Sequence, residues 1–183
     1  KTFTIPQVCP ECGLGIVKEK EEEVAYRCIN PSCPVMIERG LLHFASRNAM
    51  DIEGMGESVV GELVARKMVK DYADLYVLKK DDLLKIPLFK DKKAENLIRA
   101  IEESKERPLH RLLFGLGIRH VGEKAAYTLA ERFGSLDKIM SASLEEVQNI
   151  RGVGPEIAKS LTDYFSIEKN RKLIALFKER GLH

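Results

Sequence analysis

The chain has 183 residues, enough for one medium domain or two small ones, and its 44% apolar content is ordinary for a packed core. Thirty Lys and Arg stand against 28 Asp and Glu, a net charge of +2, which excludes coating of a polyanion by a general positive field. Any grip on nucleic acid has to come from locally placed charge or from backbone amides. No stretch approaches the roughly 18 apolar residues of a membrane span, and no apolar run follows the N-terminus as in a secretory leader.

In chain order, Thr2-Phe3-Thr4-Ile5 reads as the last strand of a preceding domain, and the chain opens on Lys1 rather than Met. Residues 1–8 are therefore expected to be the tail of a missing upstream domain. All four cysteines follow at once: Cys9, Cys12, Cys28 and Cys33, in the pattern C-x2-C, fifteen residues, C-x4-C. A C-x2-C knuckle lets two thiolates converge on one ion while amides near Cys12 and Gly13 stabilise the sulfur charge, and two knuckles complete a tetrahedron for zinc. Residues 14–18 and 24–27 can pair as short strands with Glu21-Glu22-Glu23 at the turn, bringing Cys28 back beside Cys12. Two disulfides or a redox C-x-x-C are the competing readings. A reducing cytoplasm disfavours the first, and the second expects a following helix and a βαβ pattern that are missing here. Four thiolates leave no open position, so the site is structural and staples a module too small to bury enough surface alone. After Cys33, residues 34–47 read as a helix opened by Pro34, with Met36, Ile37, Leu41, Leu42, Phe44 and Ala45 on its apolar face. The zinc module is assigned residues 9–48.

Residues 49–183 carry an internal repeat. Ile52-Glu53-Gly54-Met55-Gly56, Ile86-Pro87-Leu88-Phe89-Lys90, Ile118-Arg119-His120-Val121-Gly122 and Ile150-Arg151-Gly152-Val153-Gly154 share an Ile and an apolar residue before the last position, and their last positions step by 34, 32 and 32. Val60, Ala94, Ala126 and Ala158 follow four residues on, and Leu63, Leu97, Leu129 and Leu161 seven residues on. The physical unit is a helix ending near the Ile, a tight turn, and a second helix starting at once. The apolar turn residue tucks between the helices, the small residue lets them approach, and the Leu continues the buried stripe. This is the helix-hairpin-helix pattern. Its glycine turns expose N–H groups at a helix start, and these donors with the helix dipole make a phosphate site that grips DNA backbone without reading bases. The candidate DNA-binding residues are Gly54, Met55 and Gly56; Arg119, His120, Val121, Gly122 and Lys124; and Arg151, Gly152, Val153, Gly154 and Lys159. The second unit has no glycine in its turn and is expected to bind more weakly or to serve packing, with Lys90, Lys92 and Lys93 compensating by charge. A helical array that only packs on itself, or binds protein, is the alternative.

Between units, Ala73-Asp74-Leu75 and Gly134-Ser135-Leu136 begin comparable connecting segments, each leading to a helix with acidic residues at its start, Asp81-Asp82 and Glu145-Glu146. The last helix is expected over 167–180, stopped by Gly181, with Leu173, Ile174, Leu176 and Phe177 packed over the fourth unit. The expected fold is mainly α: a four-cysteine zinc module with a short β-hairpin, then an all-α array of four helix-hairpin-helix motifs.

The combination resembles the C-terminal part of bacterial NAD-dependent DNA ligases, from Cys9 to the end. The telling stretches are Cys9-Pro10-Glu11-Cys12-Gly13, Asp51-Ile52-Glu53-Gly54-Met55-Gly56, Lys93-Ala94-Glu95-Asn96-Leu97 and 115–122. The resemblance implies an enzyme that seals nicks in duplex DNA using NAD and magnesium, in which the zinc module links an oligonucleotide-binding fold to hairpins that clasp the duplex along its minor groove. It assigns that contact to Gly54, Gly56, Gly122, Gly152 and Gly154. The family's adenylation motif, Lys-x-Asp-Gly, does not occur in this chain. The chain is thus expected to be inactive alone and to hold nicked or intact duplex for the missing adenylation and oligonucleotide-binding domains, as a monomer, in the cytoplasm at the nucleoid. Alternatives are a stand-alone architectural DNA-binding protein and a subunit of a repair nuclease; the latter needs an acidic metal cluster for which no compact motif is visible.

Overall fold

Apolar residues recurring every three or four positions from residue 34 onward fold into helices in the computed structural model, which describes residues 6–18, 26–28, 33–87 and 89–182. Two short strands precede them. β1 (Ile16–Val17) pairs antiparallel with β2 (Arg27–Cys28), Ile16 opposite Cys28. The proposed strand at 2–5, the acidic turn Glu21-Glu22-Glu23 and Leu88 of the second turn lie outside the described residues.

The helices are α1 (Pro34–Ala45), α2 (Glu57–Ala65), α3 (Lys80–Leu83), α4 (Asp91–Ser104), α5 (Leu109–Gly115), α6 (Glu123–Phe133), α7 (Leu136–Ser141), α8 (Leu144–Gln148), α9 (Pro155–Ser166) and α10 (Glu168–Glu179), with a 3-10 segment at Tyr72–Val77. Pro34 and Pro155 stand at helix starts, where a missing N–H costs nothing. Asp71 caps the 3-10 segment, Ser135 caps α7, and Ser143 with Glu146 forms a reciprocal capping box on α8.

The four repeats are four helix pairs: α1/α2, α3/α4, α5/α6 and α8/α9 each pack across their own turn. The repeat positions are the contacts that make this possible. Val60, Ala94, Ala126 and Ala158 are wholly buried, and the equally buried Leu63, Leu97, Leu129 and Leu161 stand three residues further along the same helices. Helix α1 serves as the first helix of the first pair as well as following the zinc ligands, since Leu41, Phe44 and Ala45 belong to the main core.

That core is continuous from Leu41 to Leu182. Phe44 stacks on Tyr72 with ring centroids 5.0 Å apart and on Phe177 at 5.7 Å, and Tyr76 meets both Phe44 and Phe177 edge-on. Phe177 is on α10, so the last helix packs on the first pair as well as on α9. The Tyr76 hydroxyl is hydrogen-bonded to buried Ser104 of α4 at 3.0 Å, and burial pushes its pKa up to about 12. A side chain at Gly115 would come within 3.2 Å of Phe44 and 3.3 Å of Ala49, which lets α5 lie directly on α1. The array therefore closes on itself around this core.

Candidate zinc centre and nucleic-acid interface

The four cysteines meet at one point. Their sulfur atoms all lie within 4.8 Å of one another, with Cys9 Sγ 3.9 Å from Cys33 Sγ and Cys12 Sγ 3.5 Å from Cys28 Sγ. A tetrahedral zinc with Zn–S near 2.3 Å has sulfur–sulfur edges of about 3.8 Å, so the set fits that ion. The thiols are unbridged and far outside the roughly 2.05 Å of a disulfide. The local backbone explains the first pair: Cys9 N–H donates to the Leu14 carbonyl at 2.7 Å, Gly13 N–H to the Cys9 carbonyl at 2.8 Å, and Gly13 sits at φ +71°. β2 ends on Cys28, opposite Ile16, which carries the third ligand back. Cys33 is the residue before α1. Burial pushes its thiol above the ordinary value, while the Met36 and Val35 amides pull it down. A dication held by the four sulfur atoms would select their thiolate form.

The turns share one geometry. In each, the apolar residue donates its N–H back to the Ile carbonyl: Met55 to Ile52, Phe89 to Ile86, Val121 to Ile118 and Val153 to Ile150, at 2.9–3.4 Å. Met55, Phe89, Val121 and Val153 are buried, so Met55, Val121 and Val153 are pegs between helices with side chain and amide both engaged. The residue before the peg is left-handed: Gly54 at φ +91°, His120 at +62° and Gly152 at +89°.

The residue after the peg is the N-cap of the second helix. Gly56, Gly122 and Gly154 have φ near −80° with extended ψ, which any residue adopts, and a Cβ built on any of them meets nothing in the chain. No side chain caps these helix starts, although in α2 the Val59 N–H turns back to the Gly56 carbonyl at 3.0 Å and α9 opens on Pro155, which has no N–H to offer. Lys90 takes the same place before α4.

Arg119, Lys124, Arg151 and Lys159 are exposed around the third and fourth turns, with Lys159 paired to Asp163 at 2.6 Å. Acidic residues also stand in each first turn, which suits the dipole but opposes a phosphate. Two are drawn aside: Asp91 pairs with Lys80 at 2.8 Å, and Glu123 Oε1 accepts from Asn48 Nδ2 at 2.8 Å. In the second unit Lys90, Lys92 and Lys93 are exposed, and Pro87 and Asn96 complete the depression they line.

Several positioning contacts are absent from the repeat pattern. The segment 46–51 between α1 and the first turn is braced from the third unit and its approach: Arg107 Nη2 donates to Asp51 Oδ2 at 2.9 Å, Arg111 donates to the Arg47 carbonyl, and Asn48 reaches Glu123. Asp51 itself is left-handed at φ +52°. These pairs join residues more than fifty positions apart, and no periodicity in the sequence signals them.

Three family models match the chain: the NAD-dependent DNA ligase C4 zinc finger domain over residues 8–34, a SAM-like helix-hairpin-helix tandem over 46–103 and a helix-hairpin-helix motif over 111–174. Among curated relatives, the DNA ligase of Bacillus cytotoxicus is 50% identical over 183 residues, covering 100% of this chain and 27% of the relative. The DNA ligase of Lacticaseibacillus casei is 49% identical over 179 residues (98% and 26%), and that of Endomicrobium trichonymphae 48% over 172 (94% and 26%). The chain thus spans about a quarter of the length of the curated relatives it matches. No helix among the described residues is long and apolar enough to cross a membrane. With its cysteine tetrahedron under the NAD-dependent DNA ligase zinc-finger model and its helix pairs under the helix-hairpin-helix models, the chain is similar over its whole length to the zinc-finger and helix-hairpin-helix part of NAD-dependent DNA ligases.

Proposed function

We propose that the chain grips nicked duplex DNA by its phosphate backbone, within a longer ligase that seals the nick in replication and repair. The observation that carries this is the run of glycines at 56, 122 and 154. Their backbone angles do not require glycine, and no neighbouring atom excludes a side chain. What a missing Cβ provides there is access from outside to the uncapped amides of a helix start, which is the requirement for an approaching phosphate. Arg119, Lys124, Arg151 and Lys159 add charge beside two of these openings. The left-handed Gly54 and Gly152 keep the turns tight, and Met55, Val121 and Val153 hold them from below.

The zinc site holds the N-terminal module in shape and performs no chemistry on the substrate. Adenylation by NAD and the magnesium-dependent joining step belong to parts of the longer protein beyond this chain, which carries no Lys-x-Asp-Gly string. The chain alone binds DNA as a monomer and does not ligate it; its protein partners are the adenylation and oligonucleotide-binding domains, and it works in the cytoplasm at the nucleoid.

Alanine at Gly122 or Gly154 tests the reading. Each variant should keep its helical circular dichroism and melt within a few degrees of the parent, because the added methyl meets no atom of the chain. Each should lose about tenfold in affinity for duplex DNA, the equivalent of roughly one blocked hydrogen bond to a charged group. Parent-like binding by both variants would mean that these helix starts do not meet phosphate.

A further inference from the structure

Three turns take a left-handed residue at the same position, and in only one of them is that residue not glycine. Gly54 and Gly152 occupy it in the first and fourth turns, whereas His120 adopts φ +62° in the third. A side chain with a Cβ in that region is held at an energetic cost, and such an outlier points to something the side chain does. The structure records what it touches. His120 Nδ1 is hydrogen-bonded at 3.0 Å to Ser160 Oγ, and Ser160 belongs to α9, the second helix of the fourth unit. At 1.5 Å per residue, Ser160 lies about 9 Å along α9 from the cap at Gly154. The turn that opens α6 is thereby tied to the helix that begins at the neighbouring turn.

We infer that His120 is a positioning residue: its bond to Ser160 fixes the third and fourth hairpins as one pair, so that the starts of α6 and α9 meet two phosphates of the same duplex together. The inference rests on the phosphate-grip reading and assigns His120 a role other than direct contact with DNA. Within each unit, α5 packs on α6 and α8 on α9 through apolar contacts, but Arg119 and His120 of one turn and Arg151 and Gly152 of the other are exposed. A polar tie at their rim limits their relative motion, and binding two phosphates on a preset spacing avoids part of the ordering cost of binding them separately.

The test uses the full chain with His120→Gly, Ser160→Ala, the double variant and Ser160→Thr. Glycine suits a left-handed position, so His120→Gly should keep the turn and melt no lower than the parent by more than a few degrees. His120→Gly and Ser160→Ala should each weaken duplex binding about three- to tenfold, and the double variant should be no weaker than either single, as expected for two ends of one interaction. Ser160→Thr, which keeps the hydroxyl, should restore most of the affinity. The dependence of log affinity on log salt should become shallower by about one phosphate in the weakened variants. Parent-like binding by Ser160→Ala overturns the inference, whether or not His120→Gly binds, because only direct contact would then require the imidazole. Histidine ring 15N shifts, compared between parent and Ser160→Ala, read the tie without DNA. An intact tie in a parent chain that binds no duplex would overturn the phosphate-grip reading, and this inference with it; binding that survives loss of the tie overturns this inference alone.

Discussion

At the scale of single residues, the zinc ligands are the least ambiguous feature of the chain. Their spacing was sufficient to place all four sulfur atoms together, because each knuckle is local and the short pairing of β1 with β2 joins them. Cys28→Ser should release the metal and loosen the chain before residue 34. α1 is held by Leu41 and Phe44 in the main core, so the four hairpins should keep their helical signal. Zinc content by absorption spectrometry, with far-UV circular dichroism, checks both halves: full zinc stoichiometry in the variant would argue against four-thiolate binding. Other residue roles were less legible. The repeat tucked Met55, Val121 and Val153 between the helices, where they are buried, yet the motif also kept them among the candidates for meeting DNA. The left-handed backbone of His120 was hidden for a related reason, since the identity of a turn residue does not state its φ when the glycine is replaced.

At the scale of elements, the repeat was readable because one physical constraint recurs four times. Two helices joined by a tight turn need a peg, a small residue and a leucine at fixed offsets, and all four copies supply them at buried positions. The second copy departs where the sequence says it should: Lys90 replaces the cap glycine, and Lys93 Nζ lies 4.8 Å over the Phe89 ring. Its helices pair like the others, so the departure concerns the turn and not the packing. What periodicity could not supply is the set of long-range braces. Asp51 with Arg107, Asn48 with Glu123 and Phe44 with Phe177 join segments whose order along the chain gives no hint of their meeting.

At the scale of the whole molecule, closure of the array packs the separate hairpins around one continuous core. The last helix was expected over the fourth unit; it also reaches the first, where Phe177 is fully buried against Phe44. Phe177→Ala should cost roughly 3–5 kcal/mol, the usual range for emptying a buried aromatic site, read as a lower urea midpoint. A cost below about 0.5 kcal/mol, the range of ordinary surface changes, would mean that α10 is not integral to the core. Net charge near zero and basic groups gathered beside particular turns are the other whole-molecule facts that bear on function. They require that a grip on DNA come from shaped local sites.

The most direct measurement is the affinity of the chain for a labelled nicked duplex and for the same duplex intact, across a salt series and on two unrelated sequences. A grip made by several phosphate sites predicts binding to both sequences alike, with log affinity falling against log salt at a slope of about −3 or steeper. Absence of binding at low salt, or binding that ignores salt, would contradict the account.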